Sequence, residues 1–163
     1  EAAVPIHREF SSGKEELNID YKTMSTVSDP LAGVREIYYE ILEHQEKHRQ
    51  AEIESGQVLT GAHKDDLEFT INGKNARSYA SQGQTRTAAL SVKLAEREIL
   101  KAETGEYPVL LLDDVLSELD TKRQEFVLNR LGGGQTLITC CEDENISART
   151  GGKLIFVSGG RIR

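Results

Sequence analysis

The sequence has no tryptophan, three prolines, two cysteines and one methionine in 163 residues, and aromatic residues make up only 6% of it. The two cysteines, Cys140 and Cys141, are adjacent. Neighbouring cysteines rarely pair, and no second cysteine cluster is present to bind a metal ion. This excludes a disulfide-stapled scaffold and predicts a reducing, cytoplasmic setting. There is no signal peptide and no run of 18 apolar residues, so the sequence predicts neither secretion nor a membrane location.

An excess of positive charge is also missing, because the formal net charge at pH 7 is −7. A chain this acidic is not a generic nucleic-acid binder. Any contact with DNA would have to come from a local basic patch or from another part of the protein. The first residue is Glu1 and the only methionine is Met24, so we expect a fragment or a processed product. The length suits one domain, or one lobe with a small appendage.

Hydrophobic periodicity predicts strands and one long helix in the first half of the chain, and alternating strands and helices in the second. Such alternation is typical of a parallel α/β sheet. The predicted elements are strands around Val4–Phe10 and Leu17–Tyr21, a helix over Leu31–Glu54, strands at Gln57–Gly61, Leu67–Ile71 and Asn75–Tyr79, a helix from Ser81 to about Gly105, a strand at Val109–Leu112, a helix at Lys122–Leu131, a strand at Thr136–Thr139 and a terminal hairpin of Leu154–Val157 with Arg161–Arg163.

The strongest chemical signal is an apolar run, Val109–Leu112, that ends in Asp113 and Asp114. A continuous apolar run is typical of a central strand that is buried on both faces. Ligands bind at the carboxyl ends of such strands. One carboxylate there can orient Mg²⁺ through water, and the next can polarise an attacking water as a general base. The alternative is that the pair only opens a loop and caps the next helix.

Two further motifs flank this strand. Ser81-Gln82-Gly83-Gln84 opens the long helix, where free N–H groups and the positive end of the helix dipole suit a phosphate anion; the alternative is an ordinary N-cap. After the strand comes Ser117-Glu118-Leu119-Asp120, in which Asp120 is predicted to cap the helix over Lys122–Leu131.

Taken in order, these motifs resemble the signature loop, Walker B strand and D-loop of ATP-binding cassette ATPases. Four segments are similar in sequence to the RecF family of bacterial recombination-repair proteins: Thr60–Leu67, Ile71–Lys74, Ser81–Thr87 and Leu111–Asp120. The resemblance covers most of residues 57–140. It implies the C-terminal lobe of a P-loop ATPase of the ABC/SMC head type, with parallel core strands, flanking helices and a small signature-side subdomain. It also implies three parts: a β segment at 1–30, a helical and hairpin subdomain at 31–80, and the signature helix, Walker B strand, D-loop and final sheet at 81–163.

The resemblance further implies an ATP- and DNA-binding protein that forms an ATP-dependent homodimer, acts at gapped DNA with RecO and RecR, and helps load RecA. Asp113 would orient Mg²⁺, and Asp114 would be the catalytic carboxylate. The signature residues would contact the γ-phosphate of ATP held by the partner subunit, and two D-loop residues would lie at the dimer junction. These residues are Ser81, Gln82, Gly83 and Gln84, and Leu119 and Asp120.

The sequence also departs from such ATPases. It contains no G-x-x-x-x-G-K-[ST] P-loop, so we expect the chain alone to be inactive. Asp114 stands where many ABC ATPases have Glu, which fits a slow ATPase. The stretch Thr139-Cys140-Cys141-Glu142 replaces the usual switch histidine. For His63, structural or interface use is favoured over metal binding.

Two questions stay open at this stage. Four basic residues could contact DNA phosphates or ATP, or could only solvate an acidic protein: Lys64, Lys74, Arg77 and Arg86. The competing functional hypothesis is a separately folding module that docks DNA or protein and has no catalysis of its own.

Overall fold

The computed structural model describes residues 1–23, 27–141 and 151–162, except for the side chain of Glu118. In chain order the elements are α1 (Ala3–Phe10), β1 (Leu17–Lys22), α2 (Val34–Ser55), β2 (Asp66–Ile71), β3 (Lys74–Asn75), α3 (Ala76–Tyr79), α4 (Gln82–Thr104), β4 (Leu110–Asp113), α5 (Thr121–Asn129), β5 (Thr136–Thr139), β6 (Val157–Ser158) and β7 (Arg161–Ile162), with 3-10 turns at Ala62–Lys64 and Leu116–Glu118.

The chain divides into two compact units, and the boundary falls inside α4. The first unit is Glu15–Thr85 with Glu1, and the second is Ala2–Lys14 with Arg86–Arg163. The three-part division predicted from the sequence stays a prediction. Among the described residues, no helix combines the length and the apolar character that crossing a membrane requires.

The second unit has an α/β core. In it, β4 pairs with β5 in parallel, with Leu112 opposite Ile138 and Asp113 opposite Thr139. This confirms the parallel pairing predicted for the second half. The α4, α5 and α1 helices supply apolar side chains to the same core. Its buried members are Phe10, Leu90, Leu112, Leu116, Leu119 and Val127.

The first unit is built on an antiparallel ladder. Its strand order is β1-β2-β3, and β1 pairs with β2 from Leu17 opposite Ile71 to Lys22 opposite Asp66. None of the residues of α2, all of which are described, is buried. The helix is instead joined to loops of this unit by polar contacts: Glu40 accepts from the Ser28 amide at 2.9 Å, and His44 Nδ1 lies 2.7 Å from Thr60 Oγ1.

Several predicted elements are wrong. The strand predicted at Val4–Phe10 is the helix α1, whose buried residues Ala3, Ile6, His7 and Phe10 follow helical spacing. The alternation of Val4, Ile6 and Phe10 was misleading because it left out the buried Ala3 and His7. No strand forms at Gln57–Gly61. The predicted return strand Asn75–Tyr79 is only Lys74–Asn75 followed by the short helix α3.

The bounds of the terminal hairpin and the burial of one strand also differ from the predictions. The first strand of the terminal hairpin begins at Val157 rather than Leu154, and Arg163 lies outside the described residues, as does Glu142 of the switch-histidine stretch. The strand Val109–Leu112 is covered on one face only. Leu112 is buried, whereas Leu111 is 70% exposed beside Leu137 at 51%. The expectation of burial on both faces is therefore wrong for the described residues.

Arg97 of α4 fixes the C-terminal end of α5. Its guanidinium is buried and donates to the carbonyls of Arg130 at 3.0 Å and Gly132 at 2.9 Å. The ring of Tyr107 lies 4.0 Å from the guanidinium carbon, a cation–π contact. Gly133 and Gly134 are needed beside this ring, because a Cβ on either would lie within 2.7 Å of a Tyr107 carbon. Arg97 thus supplies a partner for the Arg130 carbonyl at the C-cap of α5 and for the Gly132 carbonyl just beyond it.

Candidate nucleotide site

The chain leaves the sheet at the two aspartates at the end of β4. Asp113 is the last residue of β4 and Asp114 follows it with φ 51°. This left-handed conformation is uncommon for a residue with a side chain, although aspartate tolerates it better than most. Both residues are exposed.

Thr139, at the end of β5, connects the two aspartates. Its hydroxyl donates to Asp113 Oδ1 and accepts from the Asp114 amide at 3.0 Å. The same amide lies 3.2 Å from the carbonyl oxygen of Thr139. Because β4 and β5 are parallel and in register, Thr139 is the residue that faces Asp113 across the sheet. The left-handed turn at Asp114 is therefore held from the neighbouring strand.

Ser117 holds Asp114 from the other side. Its hydroxyl is 2.8 Å from Asp114 Oδ1 and 2.9 Å from the Asp114 carbonyl oxygen. A hydroxyl has one proton to donate, so it can serve only one of these oxygens at a time. The carboxylate keeps its second oxygen and further lone pairs for a water molecule. The geometry is compatible with a base that is oriented but still accessible.

A groove of about 350 Å³ opens beside these aspartates within the second unit. One wall comes from α4 and the other from the end of β4 and the loop after it. Its lining includes two basic, two acidic and several apolar residues, a set that can hold a polar ligand. The lining residues are Arg86, Ala89, Leu90, Lys93, Asp113, Asp114, Val115 and Leu119.

The motif predicted to be the D-loop begins the helix α5. Asp120 is the N-cap of α5, and its Oδ1 accepts from the Arg123 amide at 3.0 Å. This confirms the predicted cap. Leu119 is buried in the core cluster and at the same time lines the groove. Its proposed place at a dimer junction stays a prediction.

The residues predicted to form the signature loop make a capping box at the start of α4. The Gln84 amide donates to Ser81 Oγ at 3.3 Å, and the Ser81 amide donates to Gln84 Oε1 at 2.9 Å. This reciprocal pair is the S-x-x-Q arrangement that begins many helices. Gln84 Nε2 also donates to Glu15 Oε1 at 3.0 Å. The N-cap alternative is thus realised, and a serine hydroxyl that accepts one bond can still donate another.

His63 and the basic residues are placed as follows. His63 Nε2 lies 3.2 Å from the Val58 carbonyl oxygen, which gives the ring a partner within its own turn. Arg77 is an exposed partner of Asp66 at 3.8 Å. Lys74 lines a smaller cavity of the first unit with Tyr79 and Gln84. Among the described residues, no group of three or more His, Cys, Asp or Glu side chains could hold a metal ion.

Sequence reasoning missed Thr139 and Ser117 as parts of this site. Thr139 was noted only as part of the stretch that lacks a switch histidine. Both strands were predicted, but their pairing and register were not, and it is the parallel register that places Thr139 opposite Asp113. Ser117 could have been found from its position three residues after Asp114, which is the spacing of a hydroxyl that bonds back within a turn.

Comparison with curated proteins gives consistent relatives. The chain is 47% identical over 167 residues to the DNA replication and repair protein RecF of Bacillus mycoides (strain KBAB4), and the match covers 99% of this chain and 44% of that protein. The protein of the same name from Bacillus cytotoxicus is equally similar, at 47% identity with the same coverage. The chain thus spans less than half the length of the curated relatives it matches. No protein-family model matches it.

Two solved structures resemble the fold. One, described as "the recombination mediator protein RecF-ATPrS in RecFOR pathway", has a TM-score of 0.72 and 34% identity, and the match covers 99% of this chain and 42% of that one. The other, described as RecF-ATP in the same pathway, has a TM-score of 0.67 and 38% identity, with coverage of 88% and 38%. Both descriptions name a nucleotide together with the protein.

Proposed function

Because this chain belongs to the RecF family of DNA replication and repair proteins and matches its C-terminal portion, we propose that it forms part of an ATP-dependent DNA-binding protein of recombinational repair. The intact protein dimerises around ATP, hydrolyses it slowly and helps load a recombinase at gapped DNA. The observation that carries the proposal is the pair Asp113 and Asp114 at the carboxyl end of a parallel strand, bordering a groove on α4. A similar solved structure that is described as RecF-ATP supports ATP as the nucleotide.

In this proposal the two aspartates divide the work. Asp113 would hold the Mg²⁺ that accompanies ATP, and the ion would neutralise charge on the phosphates. A single carboxylate with waters and phosphate oxygens is a donor set that suits Mg²⁺, which keeps several waters and is rarely caged by protein alone. Asp114 orients the attacking water and accepts its proton. The hydroxyl of Ser117 near Asp114 Oδ1 supports this orientation.

The remaining roles involve a second subunit. Ser81, Gln82, Gly83 and Gln84 begin α4, where the dipole favours an anion, and contact the γ-phosphate of ATP bound to the partner. Leu119 and Asp120 lie near the junction of the two subunits. Since the chain has no P-loop, ATP is held chiefly by residues outside it. Catalysis therefore belongs to the intact protein.

The partners follow from the same family assignment. We propose DNA with gaps or junctions, and proteins like RecO and RecR, since one structural relative is described within the RecFOR pathway. With a net charge of −7, these residues do not attract DNA over their whole surface. We propose a cytoplasmic location, which fits two cysteines without a disulfide.

The decisive experiment replaces Asp114 by Asn in the intact protein. Loss of the base should lower turnover by about 10²–10⁴-fold, while ATP-dependent dimers, measured by light scattering, should persist. Asp20→Asn is the matched control, because Asp20 lies on β1 and has a side-chain partner, Asn18, that an amide oxygen can also accept from. Unchanged turnover in Asp114→Asn would remove the assignment.

The competing function is a docking module without catalysis. It predicts that this chain alone binds gapped DNA in a salt-dependent manner. Fluorescence anisotropy at low and moderate salt measures this directly. Binding by the isolated chain, combined with full turnover in Asp114→Asn, would favour the docking module over the ATPase.

A further inference from the structure

Thr139 occupies a position that the proposed roles of the two aspartates leave unexplained. It is the last residue of β5, and its hydroxyl is shared between the Asp113 carboxylate and the Asp114 amide. A threonine hydroxyl can donate one bond and accept others, and here it does both. One side chain thus contacts both aspartates, Asp113 through its carboxylate and Asp114 through its backbone amide.

These contacts fix two separate degrees of freedom. The bond donated to Asp113 Oδ1 restricts rotation of that carboxylate and leaves its second oxygen outside this hydrogen bond. The bond accepted from the Asp114 amide holds the left-handed turn, whose φ is 51°. Such conformations persist when the surroundings over-determine them. The second contact of the same amide, 3.2 Å to the Thr139 carbonyl oxygen, contributes to this.

Ser117 acts on a different part of the pair. It contacts only Asp114, at its carboxylate and carbonyl oxygens, and comes from the loop rather than from β5. The two hydroxyls therefore divide the site: Thr139 reaches the Asp113 carboxylate, and Ser117 reaches the Asp114 carboxylate. Removing the Thr139 hydroxyl and removing the Ser117 hydroxyl should therefore have different effects.

We propose that Thr139 is a positioning residue that orients the Asp113 carboxylate towards Mg²⁺ and couples it to the backbone turn of Asp114. This inference rests on the proposed ATPase function. Removing the hydroxyl should weaken the response to Mg²⁺, because groups that orient a metal ligand typically change affinity by about 10–100-fold. Removing the Ser117 hydroxyl should instead lower turnover at saturating Mg²⁺.

The first test measures the chain itself, without metal or nucleotide. In Thr139→Val, exchange of the Asp114 amide hydrogen, followed by NMR, should be faster by about fivefold, since a hydrogen bond of this kind contributes about 1 kcal/mol. Thr139→Ser keeps the hydroxyl and should restore slow exchange. Equal exchange in all three proteins would contradict the proposed coupling. If Thr139→Val does not fold, Thr139→Ala serves in its place.

The second test measures ATP hydrolysis by the intact protein against Mg²⁺ concentration. Thr139→Val should raise the half-saturating Mg²⁺ concentration about tenfold, Thr139→Ser should restore it, and Ser117→Ala should lower kcat without that shift. An unchanged or lower Mg²⁺ requirement in Thr139→Val overturns the inference, provided that Asp113→Asn raises the requirement. If Asp113→Asn has no effect either, the proposed function itself fails, and the amide exchange still decides whether Thr139 holds the turn.

Discussion

Different interactions stabilise each of the two units of the chain internally. In the second unit, Leu116 and Val127 are completely buried, and the buried Arg97 donates to backbone carbonyls at the end of α5. In the first unit, the 22 residues of α2 include none that is buried, and apolar residues such as Val34, at 86% exposure, face outward. The helix is joined to its unit by Glu40 and His44 through hydrogen bonds.

This difference indicates where the free energy of folding resides. Burial of apolar side chains stabilises the second unit, at about 25 cal/mol for each Å² removed from water. The first unit buries fewer apolar residues, among them Leu17 and Ile71 of its strand ladder, and its exposed polar contacts contribute little each. Matched substitutions in the two units should therefore have unequal effects.

The largest effect is expected for Arg97→Met. It removes a charged donor to the carbonyls at the end of α5, together with the cation–π contact to Tyr107, which should lower the free energy of unfolding by about 3 kcal/mol. Arg77→Met in the first unit removes an exposed contact with Asp66 at 3.8 Å and should cost less than about 0.5 kcal/mol. Urea unfolding followed by circular dichroism compares them. Equal losses would break the distinction between the units.

A smaller effect is expected from truncating one valine in each unit. Val127→Ala opens a cavity at a fully buried site and should cost about 2–3 kcal/mol. Val34→Ala removes the same atoms from an exposed position and should change stability by less than about 0.5 kcal/mol. The same unfolding measurement applies. A large loss in Val34→Ala would mean that this face of α2 is covered in solution.

A third pair of substitutions tests the packing beside Tyr107. Gly134→Ala would place a Cβ 2.7 Å from the Tyr107 Cβ and should cost about 1–2 kcal/mol. Gly132→Ala, two residues earlier, meets nothing within 4 Å and should change thermal stability little. The midpoint of thermal unfolding distinguishes them. Similar midpoints would show that the Tyr107 ring moves aside easily.

The smallest effect concerns Tyr21 in the first unit. Its hydroxyl donates to Asp65 Oδ2, and this hydrogen bond, together with the Asp65 charge, raises the pKa of Tyr21 above its ordinary value of 10.0. The stabilising contribution should therefore be present below pH 10 and be lost as pH rises through the raised pKa. Ultraviolet titration should show a late-titrating tyrosine that disappears in Tyr21→Phe and shifts to lower pH in Asp65→Asn. A late component that survives Tyr21→Phe would contradict the assignment.

Much of the second unit was predictable because its signals are local. The run before Asp113 predicts β4, the apolar spacing in Lys122–Leu131 predicts α5, and Asp120 was identified as its cap. The first unit was less predictable. Gln57–Gly61 carries apolar residues that form no strand, because a strand also needs a partner with free ladder positions. The helix α1 was missed because its buried face includes His7, which a hydrophobic pattern does not count.

The candidate site divides in the same way. The sequence by itself determined the motifs around Ser81–Gln84, Asp113-Asp114 and Leu119-Asp120, because residue type and spacing are enough to indicate a strand end and two helix starts. Only the tertiary structure decided that Thr139 faces Asp113 and that Asp114 adopts a left-handed turn. Both depend on which strands pair and in what register. That pairing is set by contacts between residues far apart in the chain, which no local pattern encodes.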